Sequence, residues 1–144
     1  MNLSYISKKA NIHSSVKIGP YCVIGDNVEI GKDCVLHSHV SLSGNTKIGK
    51  NNIFYPFSSI GSAPQDLKYK GEKSFLTIGN NNTFRENVTV NPGTEGGGLY
   101  TKIEDNCLFM VGAHIAHDCM IGSNTILANN ATLAGHVEID NNAI

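Results

Sequence analysis

The sequence predicts an all-β fold, a parallel β-helix wound in six-residue steps, on three observations. A bulky apolar residue recurs every six positions, at Ile6, Ile12, Ile18, Ile24, Ile30, Leu36, Leu42, Ile48, Phe54 and Ile60. The fourth residue after each is nearly always small: Ala10, Val16, Cys22, Val28, Cys34, Val40, Thr46 and Ser58. Glycine often follows the bulky residue, as at Gly19, Gly25, Gly31, Gly49, Gly79 and Gly122. A large, a flexible and a small residue at fixed offsets describe a short strand that turns a corner every six residues. Three such faces close a triangular prism with the large residue on its axis.

Taken in order, residues 6–60 form the first run, about three coils. Ile60 to Ile78 is eighteen residues, so the phase survives, but Asp66 and Glu72 would then point inward. Unpaired carboxylates on an apolar axis are too costly, so Ser62–Thr77 is expected to leave the prism as a loop. Asn52, Pro64 and Asn82, which break the small-residue rule, flank it. The run resumes at Ile78, Phe84 and Val90. A second loop is expected over Glu95–Lys102, around Gly96-Gly97-Gly98, because the step from Val90 to Ile103 is thirteen. The last run is Ile103, Phe109, Ile115, Ile121, Leu127, Leu133 and Ile139, with Cys107, Ala113, Cys119, Thr125, Ala131, Val137 and Ala143 at the small positions. One repeat domain thus covers 1–144. Loops that interrupt a regular scaffold are where sites tend to sit.

Composition narrows the function. Lys and Arg number 11 against 12 Asp and Glu, so net charge points neither to nucleic acid nor to an anionic membrane. The N-terminus lacks a signal-peptide core and no run is long enough for a transmembrane helix, which favours the cytoplasm. Cys22 and Cys34 lie twelve apart, as do Cys107 and Cys119, unlike a zinc finger. All four take the small inward position, so they read as packing residues.

The pattern resembles the left-handed parallel β-helix of hexapeptide-repeat acyltransferases. The hand comes from that resemblance alone, because general rules favour right-handed crossovers. The resemblance also implies three hexapeptides per coil, so residues eighteen apart stack at the strand spacing of about 4.8 Å.

His13, His37 and His39 fall on outward positions and read as surface residues. His114-Ile115-Ala116-His117-Asp118 puts two imidazoles and a carboxylate around one inward isoleucine. On the eighteen-residue ruler His136 stacks over Asp118, and Gly135 over His117. Acyl transfer to an alcohol needs such parts: an imidazole to take the hydroxyl proton, a carboxylate to fix its tautomer, and an N–H for the tetrahedral oxyanion. Two alternatives stand beside it. One is a set of polar surface residues by a stacked column. The other is a zinc site like that of the carbonic anhydrases sharing this prism, although no further histidine lies near in the ruler's frame.

Four segments sharpen the resemblance: Gln65-Asp66-Leu67-Lys68-Tyr69, Gly96-Gly97-Gly98-Leu99, His114-Ile115-Ala116-His117-Asp118-Cys119, and Ile126 to His136. They are similar to the acyl-[acyl-carrier-protein]–UDP-N-acetylglucosamine O-acyltransferases, which start lipid A synthesis. That resemblance implies His117 as general base, Asp118 as its orienting partner and Gly135 as oxyanion donor. It implies that Gln65, Asp66, Lys68, His114 and His136 bind substrate, with Lys68 a point charge for the phosphates. It further implies no metal, no cofactor, no acyl-enzyme, and acyl carrier protein and UDP-N-acetylglucosamine as partners of a homotrimer with sites between subunits. Two departures stand out. The family's His-Arg before Gly-Thr is Asn91-Pro92 here, and the chain stops at Ile144, partway through a coil. The family continues with further coils and a C-terminal helical domain, so the expectation is a truncated N-terminal part. Rivals are another hexapeptide-repeat sugar N-acyl- or O-acetyltransferase, and an inactive scaffold, which would have flat Thr-rich faces without loops.

Overall fold

A six-residue step at about 3.3 Å per residue leaves room for one short strand before the chain must turn. The structure is a computed structural model describing residues 3–144, and its strands are mostly two residues long. They form three parallel sheets, the faces of a prism. The first face stacks Tyr5–Ile6, Val23–Ile24, Ser41–Leu42, Ser59–Ile60, Thr89–Val90, His114–Ile115 and Thr132–Leu133. The second stacks Asn11–Ile12, Val28–Ile30, Asn45–Ile48, Phe75–Ile78, Tyr100–Ile103, Met120–Ile121 and Glu138–Ile139. The third stacks Lys17–Ile18, Val35–Leu36, Ile53–Phe54, Thr83–Phe84, Leu108–Phe109 and Ile126–Leu127. Among the described residues no helix is long and apolar enough to cross a membrane.

Register follows the eighteen-residue ruler where the coils are plain, with Ile6 opposite Ile24 and Ile12 opposite Ile30. It stretches at the loops and then recovers. Ile48 pairs with Ile78 and Ile60 with Val90, thirty residues on; Ile78 pairs with Ile103 and Val90 with Ile115, twenty-five on. The inserted chain leaves the prism without shifting which residues face the axis.

That axis is the predicted ladder. Ile24, Leu42, Phe54, Ile60, Phe84, Phe109 and Ile115 are fully buried. Phe54, Phe84 and Phe109 stack at centroid distances of 4.8 and 5.0 Å, within the favourable aromatic range. The four cysteines are free and buried. Each thiol sits against a carbonyl of the next coil: Cys22 on His37, Cys34 on Gly49, Cys107 on Gly122 and Cys119 on Ala134. Asn52 and Asn82, the exceptions to the small-residue rule, are buried too. The Asn82 N–H donates to Asn52 Oδ1 and the Cys107 N–H to Asn82 Oδ1, so each amide takes the place of a missing ladder bond.

Both loops start and end earlier in the chain than expected. The first covers Gly61–Ser74, and Phe75, Leu76 and Thr77 belong to the second face. Leu76 is fully buried, in register between Thr46 and Thr101, and the Phe75 N–H reaches Leu99 O at 2.8 Å. The second excursion covers Asn91–Leu99, with a short 3-10 turn at Glu95–Gly97, and Tyr100–Lys102 again form strand. Asp66 and Glu72 lie in the first loop, outside the core, as the cost of burying them requires.

Candidate active site

The two loops leave the prism at the same corner, between the first and second faces, in consecutive coils. In the next two coils that corner is formed by residues 116–119 and 134–137. Winding therefore stacks both loops against His117, Asp118, Gly135 and His136. The loops are tied together by Glu72, whose carboxylate accepts the Lys70 N–H at 2.8 Å and the Glu95 N–H at 2.9 Å. Those N–H groups, Glu95's first, hold the Glu72 carboxyl below its usual range.

Asp118 occupies a left-handed corner position, φ 61°, and its own N–H donates to Thr101 Oγ1 at 2.8 Å. Its side chain is 1% exposed. Oδ1 accepts the Thr94 N–H at 2.7 Å; Oδ2 accepts the Thr94 hydroxyl at 2.5 Å and lies 2.7 Å from His117 Nδ1. Burial pushes this carboxyl up, but Thr94 and then His117 outweigh it and hold it below its usual value. A buried ionised carboxylate is tolerable because its oxygens are satisfied. Gly97 covers the carboxylate so closely that a Cβ there would collide with it.

With Asp118 accepting at Nδ1, the His117 proton sits there and Nε2 keeps its lone pair, 3.9 Å from Asp66 Oδ2. Gly135 lies against the ring, and a Cβ at that position would collide with the imidazole. His136, also left-handed at φ 64°, donates its N–H to His117 O at 3.0 Å. Its ring stands edge-on to His117 at 5.1 Å, with Nε2 4.0 Å from Asp118 Oδ2. Beside this group opens a cleft of about 390 Å³, lined by Asp66, Lys68, Glu72, Thr94, Glu95, Gly96 and His136.

The stacking of Gly135 on His117 and of His136 beside Asp118 is thus as the ruler placed it, and Asp66 and Lys68 join them. Gln65 lies exposed on the same loop and is not part of the cleft wall. His114 stands apart on the first face, its Nδ1 2.7 Å from Thr89 Oγ1, and burial pushes its pKa down. The sequence reading missed Thr94, Glu72 and Gly97. A ruler lengthened by the second loop's insertion, twenty-five residues, puts Gly93 over Asp118 and would have drawn attention to Thr94. His13, His37 and His39 are exposed, the last stacked between Tyr21 and Phe57.

Fold and site together define a class: a hexapeptide-wound prism carrying a carboxylate-held imidazole at a loop-bearing corner. The chain belongs to the bacterial transferase hexapeptide (six repeats) family, whose model matches residues 9–44 and 100–135. It is 53% identical over 135 residues to an acyl-[acyl-carrier-protein]–UDP-N-acetylglucosamine O-acyltransferase of Thermodesulfovibrio yellowstonii, covering 94% of this chain and 52% of the relative. A crystal structure of a UDP-N-acetylglucosamine acyltransferase matches with a TM-score of 0.94 at 52% identity, over 96% of this chain and 53% of the other. The Francisella novicida enzyme of that name matches with a TM-score of 0.95 at 45% identity, over 97% and 51%. The chain thus spans about half the length of the relatives it matches. A mirror-wound coil would not superpose this well, so the prism is left-handed, as the resemblance implied.

Proposed function

We propose that this chain transfers a fatty acyl group from acyl carrier protein to the 3-hydroxyl of UDP-N-acetylglucosamine, the first step of lipid A biosynthesis. The observation that carries the reading is His117, fixed at Nδ1 by buried Asp118 and with Nε2 3.9 Å from Asp66 on the cleft wall. In this reading Nε2 takes the proton as the hydroxyl oxygen attacks the thioester carbonyl. Asp118 stabilises the imidazolium that forms. The Gly135 N–H, which donates to no group among the described residues, receives the tetrahedral oxyanion. Collapse expels the carrier thiolate, and His117 returns its proton to it. No metal, cofactor or acyl-enzyme is needed.

Lys68 meets the phosphates, and Asp66 and His136 hold the sugar near Nε2; Gln65, exposed on the first loop, and His114, apart on the first face, would be reached only by the outer parts of the substrates. The reading makes the protein a cytoplasmic homotrimer with its sites between subunits. Support for association comes from the third face, whose outward positions are Lys17, Val35, Ile53, Thr83, Leu108 and Ile126, four of the six apolar. The second face carries Asn11, Glu29, Lys47, Thr77, Lys102, Met120 and Glu138 at the equivalent positions, four of the seven charged. An apolar sheet exterior suits burial against another copy. His117→Ala is expected to lower the acyl-transfer rate by at least about 10², with sugar-nucleotide affinity kept within a few-fold. Retained transfer, or transfer abolished by a chelator, removes His117 from the base role.

A further inference from the structure

An imidazole whose Nδ1 is fixed by a buried carboxylate holds its Nε2 lone pair as metal-ligating histidines do. His117 is such a group, with Asp118 behind it and Asp66 Oδ2 3.9 Å in front. His136 comes from the next coil, and ligand atoms of His117, Asp118 and His136 lie within 4.8 Å of one another. Ligand atoms around a tetrahedral zinc stand about 3.3 Å apart, given bonds of about 2.0–2.1 Å. His117 Nε2 and Asp66 Oδ2, at 3.9 Å, stand near that spacing already, and His136 must turn its ring to bring Nε2 beside them. The His136 side chain is 57% exposed, so it has room to turn, and Asp66 faces it from a loop. The cleft carries Asp66, Glu72 and Glu95 against Lys68, a balance that favours a cation.

We propose that this cleft is a reversible inhibitory site for Zn²⁺. Its ligands are His117 Nε2, His136 Nε2 and an Asp66 oxygen, with water in the fourth position and Asp118 as the orienting carboxylate. Two imidazoles and one carboxylate suit zinc better than magnesium or calcium. The cysteines offer no rival, since all four are buried. The metal is an inhibitor and not a cofactor, because it occupies the lone pair that would take the substrate's proton. Only that consequence rests on His117 being the base; binding itself rests on geometry.

The test is calorimetric titration of the protein with zinc chloride, together with the absorption spectrum of its Co²⁺ form. One site per chain is expected, with tetrahedral d–d bands and no thiolate charge-transfer band. His117→Ala and His136→Ala should each weaken zinc at least tenfold. Asp118→Asn, which removes only the orienting carboxylate, should weaken it about 10–100-fold. UDP-N-acetylglucosamine should compete with zinc. Absence of binding, affinity unchanged in both histidine variants, or a thiolate band overturns the site. The two readings fail separately. Zinc that binds as described to a protein whose His117→Ala variant still transfers acyl groups leaves the site and removes the base. Lost transfer with unchanged zinc affinity does the reverse.

Discussion

Two corners of the prism adopt the same backbone and do different things. Between the second and third faces the left-handed position is filled by Asp33, Asn51, Asn81, Asn106, Asn124 and Asn142, with φ between 57° and 66°. Asn and Asp tolerate this conformation best among residues with side chains. Some of these asparagines also bond one another, as Asn81 does Asn106 at 3.2 Å and Asn124 does Asn142 at 3.1 Å. Between the first and second faces the same position holds Asp118 and His136. There the side chains turn to Thr94 and His117, and two loops lean over them. The corner that needs only a turn is filled by asparagine or aspartate. At the loop-bearing corner the geometry stays while the partners change, so a buried carboxylate and an imidazole are held on a turn that the fold supplies anyway.

That contrast is open to attack. Asp118→Asn keeps a residue that the other corner uses in the same conformation, so the fold should survive while transfer falls about 10²–10⁴-fold; rate and thermal melting measured on one preparation decide it. The same variant sharpens the pH dependence of stability. The Asp118 carboxyl is held below its usual value of 3.8, so its stabilisation is complete above that value. It is lost as pH falls through the lower, folded-state value. Acid titration of melting should show the wild type losing more stability than the variant below about pH 4. Ile24→Ala, on the axis far from the loops, should cost about 2–5 kcal/mol in denaturant unfolding; a loss under about 1 kcal/mol would place Ile24 outside the core. Asn106→Ala, at the purely structural corner, should cost only about 1–2 kcal/mol and leave the rate of transfer untouched.

Much of this was legible because a solenoid writes its packing into one period. The axis from Ile24 to Ile121 and the inward cysteines could be read by counting, and so could the stacking of Gly135 on His117. Counting failed where the chain left the period. Thr94 holds the Asp118 carboxylate from twenty-four residues away, a separation set by the length of the second loop and by no repeat. Glu72 reaches Glu95 through loop conformation alone. The phase carried forward through Asp66 and Glu72 extends the loop over Phe75–Thr77. Counted backwards from Ile78, Leu76 falls two residues before the bulky position, as Thr46 does before Ile48 and Thr101 before Ile103, and all three are buried.

The burial of the thiols has a use in following motion. Cys22, Cys34, Cys107 and Cys119 each come directly after a left-handed corner residue and are closed off in the folded chain. Burial also pushes the pKa of Cys34, Cys107 and Cys119 up, away from the reactive thiolate. A disulfide reagent can therefore modify them only when a stretch of the wall swings open. One of these sentinels, Cys119, stands at the loop-bearing corner, and the other three stand at the other corners. Their separate labelling rates would report, without any added probe, whether the prism breathes as one body or unzips first around the cleft.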